Sequence, residues 1–192
     1  MHHLAIKAVA AALVVGAGTG AVTKIDNRAG QDIPRDVLNP MVSGQAMLTK
    51  STIFDNLGKS PEHGTLVSAV KASGLANALK GIGTYTIFAP TDAAYAALPH
   101  GIAGEAGKDA SYLVVRGRYD SQTLLGLINE KGGELKLKTL EGGTLTAMLN
   151  GPTNIALMDE RGRVADIAIY DIYQRNGVMQ VIDAVPLSAS RS

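Results

Sequence analysis

The sequence predicts an α+β domain, on three observations. The first half carries short amphipathic helical segments. From Glu134 onward the hydrophobic period falls to two. The turns in that second half are explicit, at Asn150-Gly151, Asp159-Glu160-Arg161-Gly162 and Asn176-Gly177. Helices followed by a meander of strands, rather than strict alternation of the two, argue against a doubly wound sheet. At 192 residues, 46% hydrophobic and 18% charged, the chain has the size and composition of one well-cored globular domain.

Each element has a local reason. In "STIFDNLGKS", Ser51 or Thr52 caps a helix whose Ile53, Phe54 and Leu57 share a face. In "GTLVSAVKASG", Thr65 is the expected N-cap, Leu66, Val67, Ala69 and Val70 form the apolar face, and Gly74 stops the helix. "LANALKG" adds a turn or two, closed by Gly81. A strand, Tyr85 to Ala89, meets Pro90 and passes through Thr91-Asp92 into an alanine-rich helix ended by Pro99. After a glycine-rich loop, Tyr112 to Val115 is β-prone, and "DSQTLLGLINEKGG" is a capped helix with Leu124, Leu125, Leu127 and Ile128 as its stripe. "ELKLKTL" alternates as a half-buried strand does. Four more strands are expected at Thr144–Leu149, Asn154–Met158, Val164–Tyr173 and Val178–Val185.

The N-terminus reads as a targeting segment. A weakly basic start is followed by the apolar run Ala8 to Val22, with Thr19 and Ala21 placed as small residues before a cleavage point. The run is short of a membrane span and rich in Gly and Ala. Residues 1–21 are therefore expected to be a secretory signal peptide, 22–49 an extended lead-in, 50–188 the folded domain and 189–192 a tail. Removing residues 1–21 takes away Lys7 and no acid, so the formal charge falls from +1 to zero. A neutral chain without a basic block has no electrostatic footprint for nucleic acid and little reason to adsorb on anionic lipid. The absence of cysteine excludes disulfides, thiolate metal sites, cysteine catalysis and a lipoprotein anchor. No Asn-x-Ser/Thr acceptor occurs.

The corner at Pro90 has the outline of a phosphate loop or nucleophile turn, with "GIG" (81–83) upstream. The glycines precede the strand, however, and Thr86 stands where a third glycine belongs, so they read as the end of a helix and the start of a strand. Thr91 and Asp92 are expected to cap the following helix. His63 and His100 have no helical-spaced partner, and neither a H-E-x-x-H nor a G-x-S-x-G motif is present. An enzyme would need Asp92, His100 and a hydroxyl to converge. The sequence thus predicts no catalytic residue, no metal and no cofactor.

"TYTIFAPTDAAYAALP" (84–99) closely resembles the first signature of fasciclin domains, and "NGVMQVIDAVPL" (176–187) the second; "YLVVRGRY" and "LKTLEGGTLTAMLNG" fall between them in the family's order. "NPMVSGQAM" (39–47) and "HGTLVSAVKASGL" (63–75) resemble the start of secreted single-domain bacterial members. The resemblance implies a wedge-like β-sandwich of about seven strands with helices along one side. It also implies a non-catalytic, exported adhesion or matrix module whose partners are surface proteins or exopolysaccharide. A periplasmic carrier of a small apolar ligand is the alternative. Within the motifs, Pro90, Thr91, Asp92, Asn176, Gly177 and Asp183 are expected to be structural. Tyr112 stands where the family often has Tyr-His, but Leu113 follows it, and Gln180 replaces the second motif's usual His. Asp171-Ile172 occupies the spacing of an Asp-Ile pair implicated in integrin binding in animal members. Tyr112, Asp171 and Ile172 are therefore the partner-binding candidates, with an ordinary edge-strand dipeptide as the plainer reading of the last two.

Overall fold

A computed structural model describes residues 39–100, 102 and 110–189. The expected signal peptide, most of the lead-in and the end of the tail lie outside the described residues. The elements run β1 (Met41–Val42), β2 (Gln45–Ala46), α1 (Ile53–Leu57), α2 (Gly64–Ala72), α3 (Ala76–Lys80), β3 (Tyr85–Pro90) and α4 (Asp92–Ala96). A 3₁₀ turn (Ser111–Leu113) then leads into β4 (Val114–Arg116), and α5 (Ser121–Glu130) follows. The second half is β5 (Glu134–Lys138), β6 (Thr144–Leu149), β7 (Ile155–Met158), β8 (Val164–Gln174) and β9 (Gly177–Ile182). The fold is α+β. Seven strands form one sheet in the order β4-β3-β9-β8-β7-β6-β5. A bridge between Val115 and Thr139 and a 2.8 Å bond from Leu140 N to Val114 O draw its two ends together, so the sheet is nearly closed.

The parallel pair β3 and β9 is the wall that both cores share, and every residue of both strands is buried. Full burial on both faces is what parallel strands ordinarily show. Tyr85, Ile87 and Ala89, with Met179 and Val181, face Leu57, Leu66, Val70 and Leu79 of α1–α3. Phe88 and Ile182 face the inside of the sheet, where Leu137, Leu145 and Leu157 meet Leu124 and Ile128 of α5. The i, i+4 pair Leu124 and Ile128 is the true stripe of α5; Leu125 is exposed and Leu127 half-buried.

Several local expectations shift. The β-prone run from Tyr112 begins as a 3₁₀ turn, and only Val114–Arg116 pairs as strand. The last strand stops at Ile182, where the Asp183 carboxylate instead accepts from Asp166 N at 2.8 Å. Residues 39–47, within the expected lead-in, pack on the folded part: Val42 and Met47 are buried in the helix-side core. Asn39 secures them by mimicking a strand. Its Nδ2 donates to Tyr173 O at 2.7 Å and its Oδ1 accepts from Tyr173 N at 2.8 Å, pairing the open side of β8.

The start of α2 is built from two segments. His63, not Thr65, is the N-cap, and it makes no side-chain capping bond. Asp92, expected to cap its own helix, reaches across instead: its two carboxylate oxygens accept from Gly64 N at 3.0 Å and Thr65 N at 2.8 Å. Thr91 does cap α4, through Ala94 N. His63 is fully buried, with Nδ1 2.6 Å from Ser60 Oγ. Burial holds its imidazole below the usual pKa, against the Ala89 carbonyl and the Asp92 and Glu62 carboxylates, which favour the cation. For Asp92, burial raises the carboxyl, but the bonds from Thr65 and Gly64 outweigh it and leave the pKa lowered.

Both folded-state values are depressed, so both groups stabilise least in acid. Stability is expected to be flat above about pH 6.5 and to fall below it as the unfolded chain protonates His63. A second fall is expected below about pH 4 as Asp92 protonates. Thermal melts between pH 7 and 3 check this. In His63→Gln the first fall should vanish and the second remain.

Candidate functional site

The candidate pair Asp171-Ile172 sits at an irregularity in β8. Pairing to β9 jumps from Ile169 with Val181 to Ile172 with Met179, so extra residues bulge out. Asp171 occupies the left-handed region at φ 60°, a costly conformation for a residue with a side chain. Its surroundings hold it there. Asp171 N donates to Gln180 Oε1 at 2.9 Å, and Gln180 Nε2 donates to Asp171 Oδ1 at 3.1 Å and to Tyr119 O at 3.0 Å. The carboxylate also accepts from Ser121 N at 2.7 Å and from the Ser121 hydroxyl. Together with Asp120, which accepts from Thr123 N at 2.8 Å, it caps α5. Tyr173 completes the cluster with a 3.4 Å bond to Asp120 Oδ2, and burial, with the charges of Asp171 and Asp120, raises its phenol far above the usual value.

None of Gln180, Ser121, Asp120 and Tyr173 is a binding candidate in the sequence; Gln180 stands out there only as the replacement for the second motif's His, and Asp120 only as the start of a capped helix. A Gln in the middle of an otherwise apolar strand is the one signal that pointed there, since a buried amide needs partners. The arrangement joins β8, β9 and α5 and leaves Asp171 half-buried. Asp171→Ala is expected to cost about 2 kcal/mol, because it removes a helix cap while keeping the strained φ. Asp171→Gly should cost about 1 kcal/mol less, since glycine accepts φ 60° freely. Urea unfolding of the two variants measures the difference.

The other two candidates are interior. Ile172 is 0% exposed and packs in the helix-side core. Tyr112 is 3% exposed; its hydroxyl donates to Thr144 O at 2.7 Å and accepts from Glu160 N at 3.2 Å, and burial pushes its phenol up to about 12. Little of either side chain reaches the surface: Ile172 is core, and Tyr112 ties Thr144 to the β7–β8 turn. The β7–β8 turn that Tyr112 braces and the Asp171 bulge stand at opposite ends of β8, about 20 Å apart for a strand of this length. β8 is also an interior strand of the sheet rather than an edge.

The motif residues are tied into the fold. Asn176 Oδ1 accepts from Ile53 N at 2.9 Å, and its Nδ2 donates to Leu79 O at 2.7 Å and to Gly81 O at 3.3 Å. Gly177, at φ 154°, lets β9 pass against the Tyr85 carbonyl. Pro90 ends β3 opposite Ile182. Asp92 has both oxygens on α2, while His100 is exposed. Among the described residues no group of three or more His, Asp or Glu could hold a metal.

A groove of about 300 Å³ lies elsewhere, between the end of α4 and the start of β8. Ala94, Leu98, Val164, Ala184 and Pro186 form its apolar walls, and Arg163 and Asp183 stand on its lining. Arg163 is anchored by Asp159, 3.0 Å from Nε, and that buried carboxylate also accepts from Leu187 N at 2.9 Å.

Comparison with known proteins places the chain in context. The family model described as Fasciclin domain matches residues 61–187. "Protein sll1483" of Synechocystis sp. is 30% identical over 149 residues, 77% of this chain and 79% of that one. "Uncharacterized protein sll1735" of the same organism is 30% identical over 133 residues, 64% of this chain and 87% of that one. Transforming growth factor-beta-induced protein ig-h3 of Sus scrofa is 28% identical over 134 residues, which are 70% of this chain and 19% of that longer protein. A solved FAS1 domain pair from the insect cell adhesion molecule fasciclin I superposes with a TM-score of 0.59 at 15% identity, over 73% of this chain and 52% of that one. At that identity the likeness is one of fold.

Proposed function

This chain belongs to the fasciclin domain family, and on that premise we propose that it is an exported, non-catalytic adhesion or matrix-interaction module for a surface protein or exopolysaccharide. The observation that carries the reading is the use of the motif side chains. Asp92, Asn176 and Asp183 each bond backbone groups of another segment, which leaves the most site-like stretches of the sequence as joints of the scaffold. With the motifs absorbed by the fold, function falls to surface recognition, where loops on a rigid frame ordinarily carry it. The relation to a cell adhesion molecule of the same fold supports the same reading.

Export is expected from the N-terminal segment, and fractionation of cells carrying a tagged copy measures it. The purified chain, incubated with whole cells and with isolated exopolysaccharide, should be retained by one of them above a matched control protein. Retention by neither contradicts the adhesion reading.

The groove favours one second reading. Its apolar walls and two charged side chains suit a small ligand with an apolar body and a polar end, at the lower size limit of ordinary ligand sites. Native mass spectrometry of protein taken from cells should then show a retained mass that Ala97→Phe, a change on the groove's lining, removes; a bare protein mass contradicts this reading.

A further inference from the structure

The "GIG" loop between α3 and β3 displays the most exposed large apolar side chain among the described residues: Ile82 is 103% exposed. The loop that carries it is fixed. Asn176 donates to Leu79 O and Gly81 O on one side, and Gly117 N donates to Thr84 O at 2.9 Å on the other. Gly83 lies against the Tyr85 ring so closely that a Cβ there would fall 2.6 Å from a ring carbon. Ile82 is therefore held out into solvent, with no route back to the core.

Cations surround the loop. Lys80 is two residues before it, with Nζ 4.7 Å from the centre of the half-buried Phe54 ring. Arg116 pairs across the sheet from Tyr85, its guanidinium 5.9 Å from that ring. Arg175 adjoins Asn176, and its amide donates to Ser51 O, which brings Lys50 to the same pole. Lys50, Lys80, Arg116 and Arg175 are all exposed. Asp55 of α1 stands near Lys80 and Lys59 and offsets part of this charge, while its carboxylate also accepts from Thr52. The chain's near-zero net charge thus conceals a basic pole with an apolar tip.

We propose that this pole docks reversibly on an anionic lipid surface, with Ile82 entering the headgroup–acyl boundary and the four cations facing lipid phosphates. One exposed isoleucine alone is an ordinary surface feature. Its fixed projection from among four cations distinguishes it, because apolar insertion and attraction to anionic headgroups act together in interfacial binding. A soluble polyanion would use the cations and leave the isoleucine without a role. The contact is peripheral: one side chain gives weak, reversible attachment and not insertion of the chain.

The sequence contains no tryptophan, so Ile82→Trp in the full chain is a unique local reporter. Its signal is independent of any binding by the N-terminal apolar run. With vesicles of phosphatidylcholine and phosphatidylglycerol, tryptophan at position 82 should shift to the blue and be quenched by brominated acyl chains. With phosphatidylcholine alone neither should occur. Val164→Trp, at the other end of β8, should report no contact in either. Adding Lys80→Gln and Arg175→Gln to Ile82→Trp should lower partitioning roughly 25-fold, about fivefold per cation. Equal behaviour in neutral and anionic vesicles, or absence of quenching at position 82, overturns the proposal. So does binding to dextran sulfate with no response to vesicles, which assigns the cations to a polyanion instead.

Discussion

Gly177→Ala should destabilise the domain by at least about 4 kcal/mol, against a stability of roughly 5–15 kcal/mol for an ordinary domain. Two costs combine. At φ 154° a side chain is strained whatever the space around it. The new Cβ would also overlap the Tyr85 carbonyl oxygen and lie 2.9 Å from Ile53 Cδ1, where the parallel pairing of β3 and β9 begins. Relief requires moving backbone, because the obstruction is a carbonyl and not a flexible side chain. Gly126→Ala is the internal control. That glycine lies mid-helix in α5 with nothing within 4 Å of its Cβ position, and the change should stabilise by about 0.5–1 kcal/mol. Urea denaturation of the two variants gives the comparison. A Gly177→Ala protein within 1 kcal/mol of the native one, on the scale of an ordinary surface change, contradicts the assignment of this glycine to close strand approach.

Asn176→Ala should cost about 3–5 kcal/mol for a different reason. The side chain is 4% exposed and serves three backbone groups, Ile53 N at the start of α1 and Leu79 O and Gly81 O at the end of α3. Truncation orphans all three where water has little access. Asn176→Asp separates the roles. A carboxylate still accepts from Ile53 N, but it cannot donate to the two carbonyls and faces them with a negative charge. Its folded-state pKa should therefore be raised. The variant should be at its weakest at neutral pH and recover as the pH falls through the carboxyl range, opposite in sign to the effect of Asp92. Denaturant midpoints at pH 7 and pH 5 measure this.

The contrast between these residues and Asp171-Ile172 shows what the sequence carries. Alternating Leu135 and Leu137 and the turn at Asn150-Gly151 place the β5–β7 meander, because period and turn chemistry are local properties. The partner of Asp92 was not legible: Thr91-Asp92 before an alanine-rich run looks like a local cap, and only the fold brings α2, 28 residues earlier in the chain, to its carboxylate. The burial of Ile172 was hidden for another reason. Both faces of residues 164–173 mix apolar and acidic residues, and the bulge at Asp171 shifts the phase within the strand, so no single alternation applies. Residues 39–47 looked polar and irregular, and their two buried anchors, Val42 and Met47, are too far apart in sequence to form a pattern. Ile82 reads in sequence as punctuation between two glycines. Its projection among cations depends on Arg116 and Arg175, which arrive from distant strands.

On the function proposed above, the two motifs are joints of the fold and recognition lies on the surface beyond them. Retention on cells or exopolysaccharide, measured side by side for the native chain, Asp92→Asn and Asp183→Asn under conditions where circular dichroism shows all three folded, tests it most directly. Equal retention of all three is expected, with the variants differing only in denaturant midpoint. A folded variant that loses retention, or a native chain retained by neither material, contradicts it.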